Sequence, residues 1–180
     1  MDRKTAQEGA DSEPAFGPRD GEMAIEPDPA KAPADAGLIF IGRVASPWTE
    51  RTECPKNMRA AREIGRPARI AIDAPYRPGL ADLAGFSHVV LLTWLDRSPR
   101  NLIVQKPRHA DRAKGVFALR SPARPNPIGL HVVQLLGLDA AAGLLEIDAI
   151  DVLDGTPVLD LKPYLPSIDA FPGATGPGKD

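Results

Sequence analysis

Three prolines in six residues, Pro122, Pro125 and Pro127, force the stretch Ser121 to Leu130, SPARPNPIGL, into a stiff extended path. Each pyrrolidine ring locks its own φ and pushes the preceding residue out of the α region. No helix can pass through such a segment. Asn126, flanked by Pro125 and Pro127, is held on a rigid loop. Gly129 then allows either close backbone approach or a positive φ before an apolar strand begins. Arg120 and Arg124 set two forked cationic donors beside the loop. A plain connector between two strands would be built the same way, so the loop alone does not name a function.

The rest of the chain reads as short strands separated by turn residues. GLIFIGRVAS, from Gly37, alternates as a first strand ending at Ser46-Pro47, and ARIAID is a second. HVVLLTWLD, from His88 to Asp96, is the most apolar run and predicts a fully buried central strand. GVFALRS leads into the proline loop as a strand and LHVVQLLGL leaves it as another. LLEIDAIDVLD alternates apolar and acidic residues, a half-buried pattern, and VLDLKPYLP is a last strand after the turn at Gly155-Thr156-Pro157. NMRAAREIG and ADLAGF predict short helical turns, and SPRNLIVQKPRHADRAKG is expected to be a basic loop or irregular arm. About seven short strands with few helices predict a mainly all-β chain, an antiparallel barrel or a sandwich. Neither a βαβ alternation nor a GxGxxG after a strand is present, which argues against a Rossmann domain.

Charge and composition divide the chain. Residues 1–36 carry five prolines and a net charge of −5, with no sustained period, and are expected to form a disordered acidic tail. A barrel or sandwich domain is expected over 37–172, and residues 173–180 as a flexible C-terminal tail. Residues 37–124 carry +9 and residues 125–180 carry −6, within a total of −2. The +9 segment suits a polyanionic partner such as RNA, and equally an ordinary solvated surface that the fold mixes with acidic strands. No apolar run is long enough to span a membrane. The N-terminus lacks the apolar core of a secretory signal, so a cytoplasmic location is expected. Three histidines and one cysteine lack the usual ligand set for a metal. His88 reads as a structural histidine. Cys54 has Arg51 and Lys56 nearby in sequence, which would lower its pKa, although a lone loop cysteine is more often inert.

Four segments taken together carry a resemblance: IGRVASPW, FSHVVLL (Phe86 to Leu92), GVFALRSPARPNPIGL (Gly115 to Leu130) and DVLDGTPVLDLKPYLP (Asp151 to Pro166). They resemble the TsaA/TrmO family over about Gly37 to Phe171. The resemblance implies an S-adenosylmethionine-dependent tRNA methyltransferase that modifies the exocyclic amine of threonylcarbamoyl-adenosine, the nucleotide just 3′ of the anticodon. It also implies a single antiparallel β-barrel, working as a homodimer with the cofactor near the subunit boundary. Longer members of the family carry a further C-terminal domain, whereas this sequence ends soon after its KPY motif.

The same resemblance places a cofactor pocket at Lys56, Asn57 and Met58, at Asp96 and Arg97, at Arg120, and at Leu130 with Leu153, Asp154, Gly155 and Thr156. The loop around Lys56 differs in residue identity from bacterial members, and His131 stands where a serine often follows RPNPIG. The chemistry agrees: an arginine (Arg97, Arg120 or Arg124) suits a methionine carboxylate through a bidentate pair. An aspartate (Asp96 or Asp154) suits the ammonium or ribose hydroxyls. Backbone groups of the turn Leu153–Thr156 suit the adenine edge, and Asn126 is the further side chain of the rigid loop. Asp160, Lys162 and Tyr164 are expected on one face of a strand. Asp154 or Asp160 is expected to accept or orient the acceptor's proton, with Lys162 and Tyr164 positioning substrate; an Asp160–Lys162 ion pair with no further role is the competing reading. At the level of the whole chain two alternatives stand beside the tRNA methyltransferase. One is a non-catalytic RNA-binding barrel, and the other a methyltransferase acting on a different small molecule or protein.

Overall fold

The structure, a computed structural model, describes residues 18–107 and 110–176. In chain order its strands are β1 (Met23–Ala24), β2 (Gly42–Ala45), β3 (Ala68–Ile72), β4 (His88–Trp94), β5 (Leu102–Gln105), β6 (Lys114–Gly115), β7 (Ile128–Asp139), β8 (Leu144–Ile147) and β9 (Pro157–Pro163). Two short α-helices, α1 (Met58–Ile64) and α2 (Pro166–Asp169), and three 3-10 turns complete the described chain. These elements fall into two units, one from residues 33–98 and 126–180, the other from residues 1–32 and 99–125.

The first unit is a closed antiparallel barrel in the order β2-β3-β8-β7-β4-β9, with β9 pairing back onto β2. Closure leaves no sheet edge to be satisfied by another chain. Alternation along each strand decides what fills it. β4 buries Val89, Leu91 and Thr93 and turns His88, Val90, Leu92 and Trp94 outward. β3 contributes Ala68, Ile70 and Ile72, β7 contributes Val133, and β8 contributes Leu145 and Ile147. Burying each of these valine, leucine and isoleucine side chains contributes about 1.5–3 kcal/mol. Between Leu92 and Thr93 the β4–β9 register shifts, so that Asp160 faces Leu92 while Val158 faces Thr93. Leu159 is the extra residue of this bulge, so Val158 faces the interior with Thr93 while Asp160, two residues on, faces outward with Leu92.

α1 is capped by Asn57, whose side-chain oxygen accepts from the Ala60 amide at 2.9 Å, and it stops at Gly65 in the left-handed region. Ala61 is buried. Arg62 reaches the Asp148 carboxylate at 2.9 Å and also donates to the Val132 carbonyl, which ties the helix to β7.

Six strands close the barrel where about seven were expected. The first strand starts only at Gly42 because its partners run out. Ile41 donates to Val158 and accepts from Asp73, and Leu38, Ile39 and Phe40 lie exposed beyond that pairing. GVFALRS is a 3-10 turn over Val116–Ala118 and not a strand, whereas Leu102–Gln105, expected as irregular arm, pairs as β5. LLEIDAIDVLD stays a strand only to Ile147, since Asp148 uses its carboxylate to accept from Gln134 N and from Arg62.

The second unit is a small sheet in the order β1-β5-β6. Its β1 falls inside the segment expected to be disordered. There the Glu22 carboxylate, only 3% exposed, accepts from the Arg19 amide (3.1 Å), the Arg19 guanidinium (2.5 Å) and the Lys106 amide (3.1 Å). These bonds give residues 18–24 a partner that composition does not reveal. Residues 1–17 of the expected tail, and 177–180 of the C-terminal one, lie outside the described residues.

Candidate functional site

The turn Leu153–Thr156 is strapped to the start of the chain's barrel. Asp154 N donates to Trp48 O at 2.7 Å, Gly155 N to Val44 O at 2.9 Å, and Val44 N back to Thr156 O at 2.9 Å. Thr156 closes the turn on itself, its hydroxyl donating to Leu153 O at 2.6 Å. Gly155 sits at φ 77°, the left-handed conformation that a side chain would strain. Ser46 locks the strap: its amide donates to Asp154 Oδ1 at 2.9 Å and its hydroxyl to Val152 O at 2.7 Å. Trp48 is buried and its indole N–H donates to Ile150 O at 2.8 Å.

Two cations crown this turn. Arg43 donates to Gly155 O at 2.8 Å and Arg97 to Asp154 O at 3.4 Å. Of the sequence-predicted pair Asp96-Arg97, on the exposed turn after β4, it is Arg97 that reaches the sequence-predicted Asp154. Arg43 and Ser46 belong to the same cluster and were not singled out from sequence. Their signal is the GRVASPW segment that pairs with Pro157 and Val158. The amides of Asp154, Gly155 and Thr156 are all spent on protein carbonyls. The donors this site offers are therefore guanidinium groups, and its acceptor is the Asp154 carboxylate, one oxygen of which Ser46 already holds.

The other predicted residues distribute as follows. Met58 and Leu153 pack against the barrel core, Asn57 is committed to its helix cap, and Lys56 is exposed. Asn126 and Leu130 are exposed in the barrel unit. Arg120 and Arg124 belong to the other unit. Arg124 donates to the carbonyls of Ser121 (3.0 Å), Val116 (3.0 Å) and Leu119, which makes it the clamp of its own loop.

On β9, Asp160 and Lys162 share a face and form an ion pair of 2.8 Å, which raises the Lys162 pKa. Asp160 Oδ1 also accepts from Leu161 N at 2.9 Å. Tyr164 lies one residue past the strand end, where its amide donates to His88 O and its ring centroid sits 6.3 Å from that of His88. His88 shares a further hydrogen bond of 3.0 Å with the Ser87 hydroxyl.

A buried polar network, absent from the sequence reading, crosses the barrel. His131 is 5% exposed, with Nδ1 2.7 Å from Asp151 Oδ1 and Nε2 3.0 Å from Thr93 Oγ1. A carboxylate only accepts, so Nδ1 donates to Asp151, and Nε2 shares its hydrogen bond with the Thr93 hydroxyl. Gly129 serves this network through close approach and not through a positive φ: a Cβ there would lie 2.3 Å from Thr93 Oγ1 and 2.6 Å from His131 Nε2. Cys54 lies close enough to feel Asp151. Burial first, and Asp151 second, push its thiol up to about 11 against a smaller opposing effect of Arg51. Desolvation outweighs the lowering that basic neighbours would bring, in line with the inert cysteine expected from sequence.

Outside the barrel, β4 and β7 lay Val90, Leu92 and Trp94 directly against Val132, Leu130 and Ile128. Ile128 and Leu130 are 44% and 50% exposed. A groove of about 490 Å³ lies elsewhere on the unit, lined by Ala45, Ser46, Pro67, Arg69, Leu136 and Glu146 among others. Arg69 and Glu146 neutralise each other across it at 3.0 Å, and apart from Ser46 it holds none of the cluster described above. Among the described residues no group of three metal-ligating side chains occurs, and no helix is long and apolar enough to cross a membrane.

Comparison with known proteins gives four findings. The family model described as the tRNA-methyltransferase O N-terminal domain matches residues 43–170. A probable S-adenosyl-L-methionine-binding protein of Archaeoglobus fulgidus is 40% identical over 137 residues, covering 76% of this chain and 36% of that protein. The tRNA (adenine(37)-N6)-methyltransferase of Escherichia coli is 34% identical over 143 residues, covering 75% of this chain and 60% of the enzyme. The crystal structure of TrmO from Pseudomonas aeruginosa superposes with a TM-score of 0.64 at 34% identity, over 80% of this chain and 62% of that one. The chain therefore spans about a third of the archaeal relative and about three fifths of the two bacterial proteins.

Proposed function

Because the chain belongs to the family of the tRNA-methyltransferase O N-terminal domain, we propose that it methylates the exocyclic amine of adenine 37 of tRNA. S-adenosylmethionine is the donor and, as the resemblance implies, the acceptor is the threonylcarbamoylated base. The observation that carries this reading is the meeting of Arg97, Arg43 and Asp154 on one rigid turn of the barrel. S-adenosylmethionine presents a carboxylate, an ammonium, ribose hydroxyls and, on its sulfonium, an electrophilic methyl group. The donor set matches: guanidinium for carboxylate, Asp154 for ammonium or hydroxyl.

Within this reading Arg97 binds the carboxylate and Asp154, steadied by Ser46, takes the positive or hydroxyl group. The strap of hydrogen bonds to Val44 and Trp48 keeps the turn from adjusting, which is what alignment for an in-line transfer requires. Leu130 and Asn126 contribute apolar and polar surface from the same unit. Arg124 is assigned to holding the proline loop, and Asn57 to capping α1. The carbamoylated amine is a poor nucleophile, so an acceptor for its proton helps. Asp160, ion-paired with Lys162 on the outer face of β9, fills that role, with Lys162 and Tyr164 positioning the acceptor base.

The chain acts as a homodimer in the cytoplasm in this proposal. The apolar face of β4 and β7 supports self-association, since exposed Ile128 and Leu130 adjoin half-buried Val90, Leu92, Trp94 and Val132 in one apolar patch. The decisive experiment incubates the protein with S-adenosylmethionine and tRNA and reads the mass of the modified adenosine. A methyl increment at position 37 supports the proposal. Salt-sensitive tRNA binding without the increment would replace it with a non-catalytic RNA-binding barrel.

A further inference from the structure

The barrel unit is not the only part of the chain that presents chemistry to a partner. In the second unit Phe117 is 83% exposed, a large apolar ring standing in water on the 3-10 turn Val116–Ala118. The exposure is not that of a loose loop. Val116, next to it, is completely buried. The guanidinium of Arg124 accepts nothing and donates to Val116 O on one side of Phe117, to Leu119 O on the other, and to Ser121 O beyond. The backbone that carries the ring is therefore pinned at both ends.

The segment that carries the ring is cationic in sequence. Residues 99–125 hold seven Lys and Arg against a single acid, Asp111. Lys114 and Arg120 stand three residues before and after Phe117. Among the described residues of this unit the other exposed large apolar side chain is Met23. A docking site for a folded apolar partner needs a contiguous apolar patch, which a lone ring among cations does not supply. A rigid aromatic face beside positive charge is what an unpaired nucleic-acid base needs, with the ring stacking on the base and the cations taking its phosphates.

We propose that Phe117 is a stacking platform for one unpaired base of the RNA substrate. The inference rests on the tRNA reading above and adds to it the residue that engages a single-stranded part of the molecule. Arg124 acts on the same site at one remove, as the residue that positions the turn.

The test is fluorescence anisotropy of the full chain with a labelled tRNA anticodon stem-loop and, separately, a fully paired RNA duplex, each across a salt series. Phe117→Ala is expected to weaken stem-loop binding by roughly 5- to 100-fold, the worth of one base stacked on an aromatic ring. It is expected to leave duplex binding and the salt slope unchanged, because no phosphate contact is lost. Phe117→Trp restores stem-loop affinity. Equal stem-loop affinity of wild type and Phe117→Ala overturns the proposal while leaving the tRNA reading intact. So does a change of sedimentation from dimer to monomer in Phe117→Ala, which would make the ring a contact between copies. A wild-type chain that binds no stem-loop at all overturns both.

Discussion

His131 Nδ1 and Asp151 Oδ1 lie 2.7 Å apart inside the barrel, joining β7 to the segment that runs into the Leu153–Thr156 turn. Removing either partner leaves buried Nδ1 of His131, or the partly buried Asp151 carboxylate, without this bond, a loss of about 1–3 kcal/mol. His131→Ala and Asp151→Ala are each expected to lower the urea midpoint accordingly. Asp151→Asn keeps an acceptor oxygen for Nδ1–H and is expected to lose less than Asp151→Ala. Urea titrations of the three variants check the order.

Arg97 and Asp154 meet at the same turn. If they hold opposite charges of the methyl donor, Arg97→Ala and Asp154→Ala each weaken S-adenosylmethionine binding by roughly 10- to 100-fold, the worth of one charge-assisted bond. Arg97→Lys recovers only part of the loss, because an ammonium cannot make the bidentate pair. Calorimetric titration with S-adenosylmethionine measures both effects without requiring tRNA.

Leu92 and Leu130 face each other across the β4–β7 ladder on the outer surface. A charge there opposes any apolar contact between copies and leaves the barrel interior untouched. Leu130→Asp is expected to shift the chain from dimer to monomer in sedimentation equilibrium, with an unchanged far-ultraviolet circular dichroism spectrum.

Glu22 is held well below its ordinary value, at about 2, chiefly by the hydrogen bond from the Arg19 guanidinium, with further help from the Arg19 and Lys106 amides. Its folded pKa lies below its unfolded one, so its contribution to stability is complete above the ordinary carboxylate range. That contribution is lost as pH falls toward about 2. Amide exchange of Met23 and Ala24 is expected to accelerate between about pH 4.5 and about 2, and Glu22→Gln to abolish that pH dependence.

Cys54 is predicted to be unreactive. With its thiol pushed from the ordinary 9.0 up to about 11, the thiolate available at pH 8 falls by about a hundredfold. Alkylation by iodoacetamide is expected to be slow in the native protein and to reach the rate of a free thiol only in denaturant.

The strand-rich, helix-poor architecture was legible because alternation and proline leave few other options. The apolar run HVVLLTW marked a strand and was expected to be buried on both faces, whereas the barrel buries Val89, Leu91 and Thr93 and turns the alternate residues outward. Proline spacing likewise marked the loop before β7. The length of β2 was not legible, because Leu38, Ile39 and Phe40 are as apolar as any strand residue. Only the end of β3 at Ile72 leaves them without a partner. Val116–Ala118 failed for a related reason: its residues favour a strand, and the Arg124 clamp makes a turn.

Sequence by itself determined which residues alternate, where the backbone cannot be helical, and which motifs the chain shares with its family. These are local properties, set by side-chain period, ring closure at proline and the order of residues. Tertiary structure alone decided the partners. It set Arg43 and Ser46 against a turn more than a hundred residues away. It also buried His131 between Thr93 and Asp151, and gave Glu22 the three donors that order its neighbourhood. The reason is barrel closure: antiparallel pairing brings together positions distant in sequence, and nothing in a single strand's pattern records which strand lies beside it.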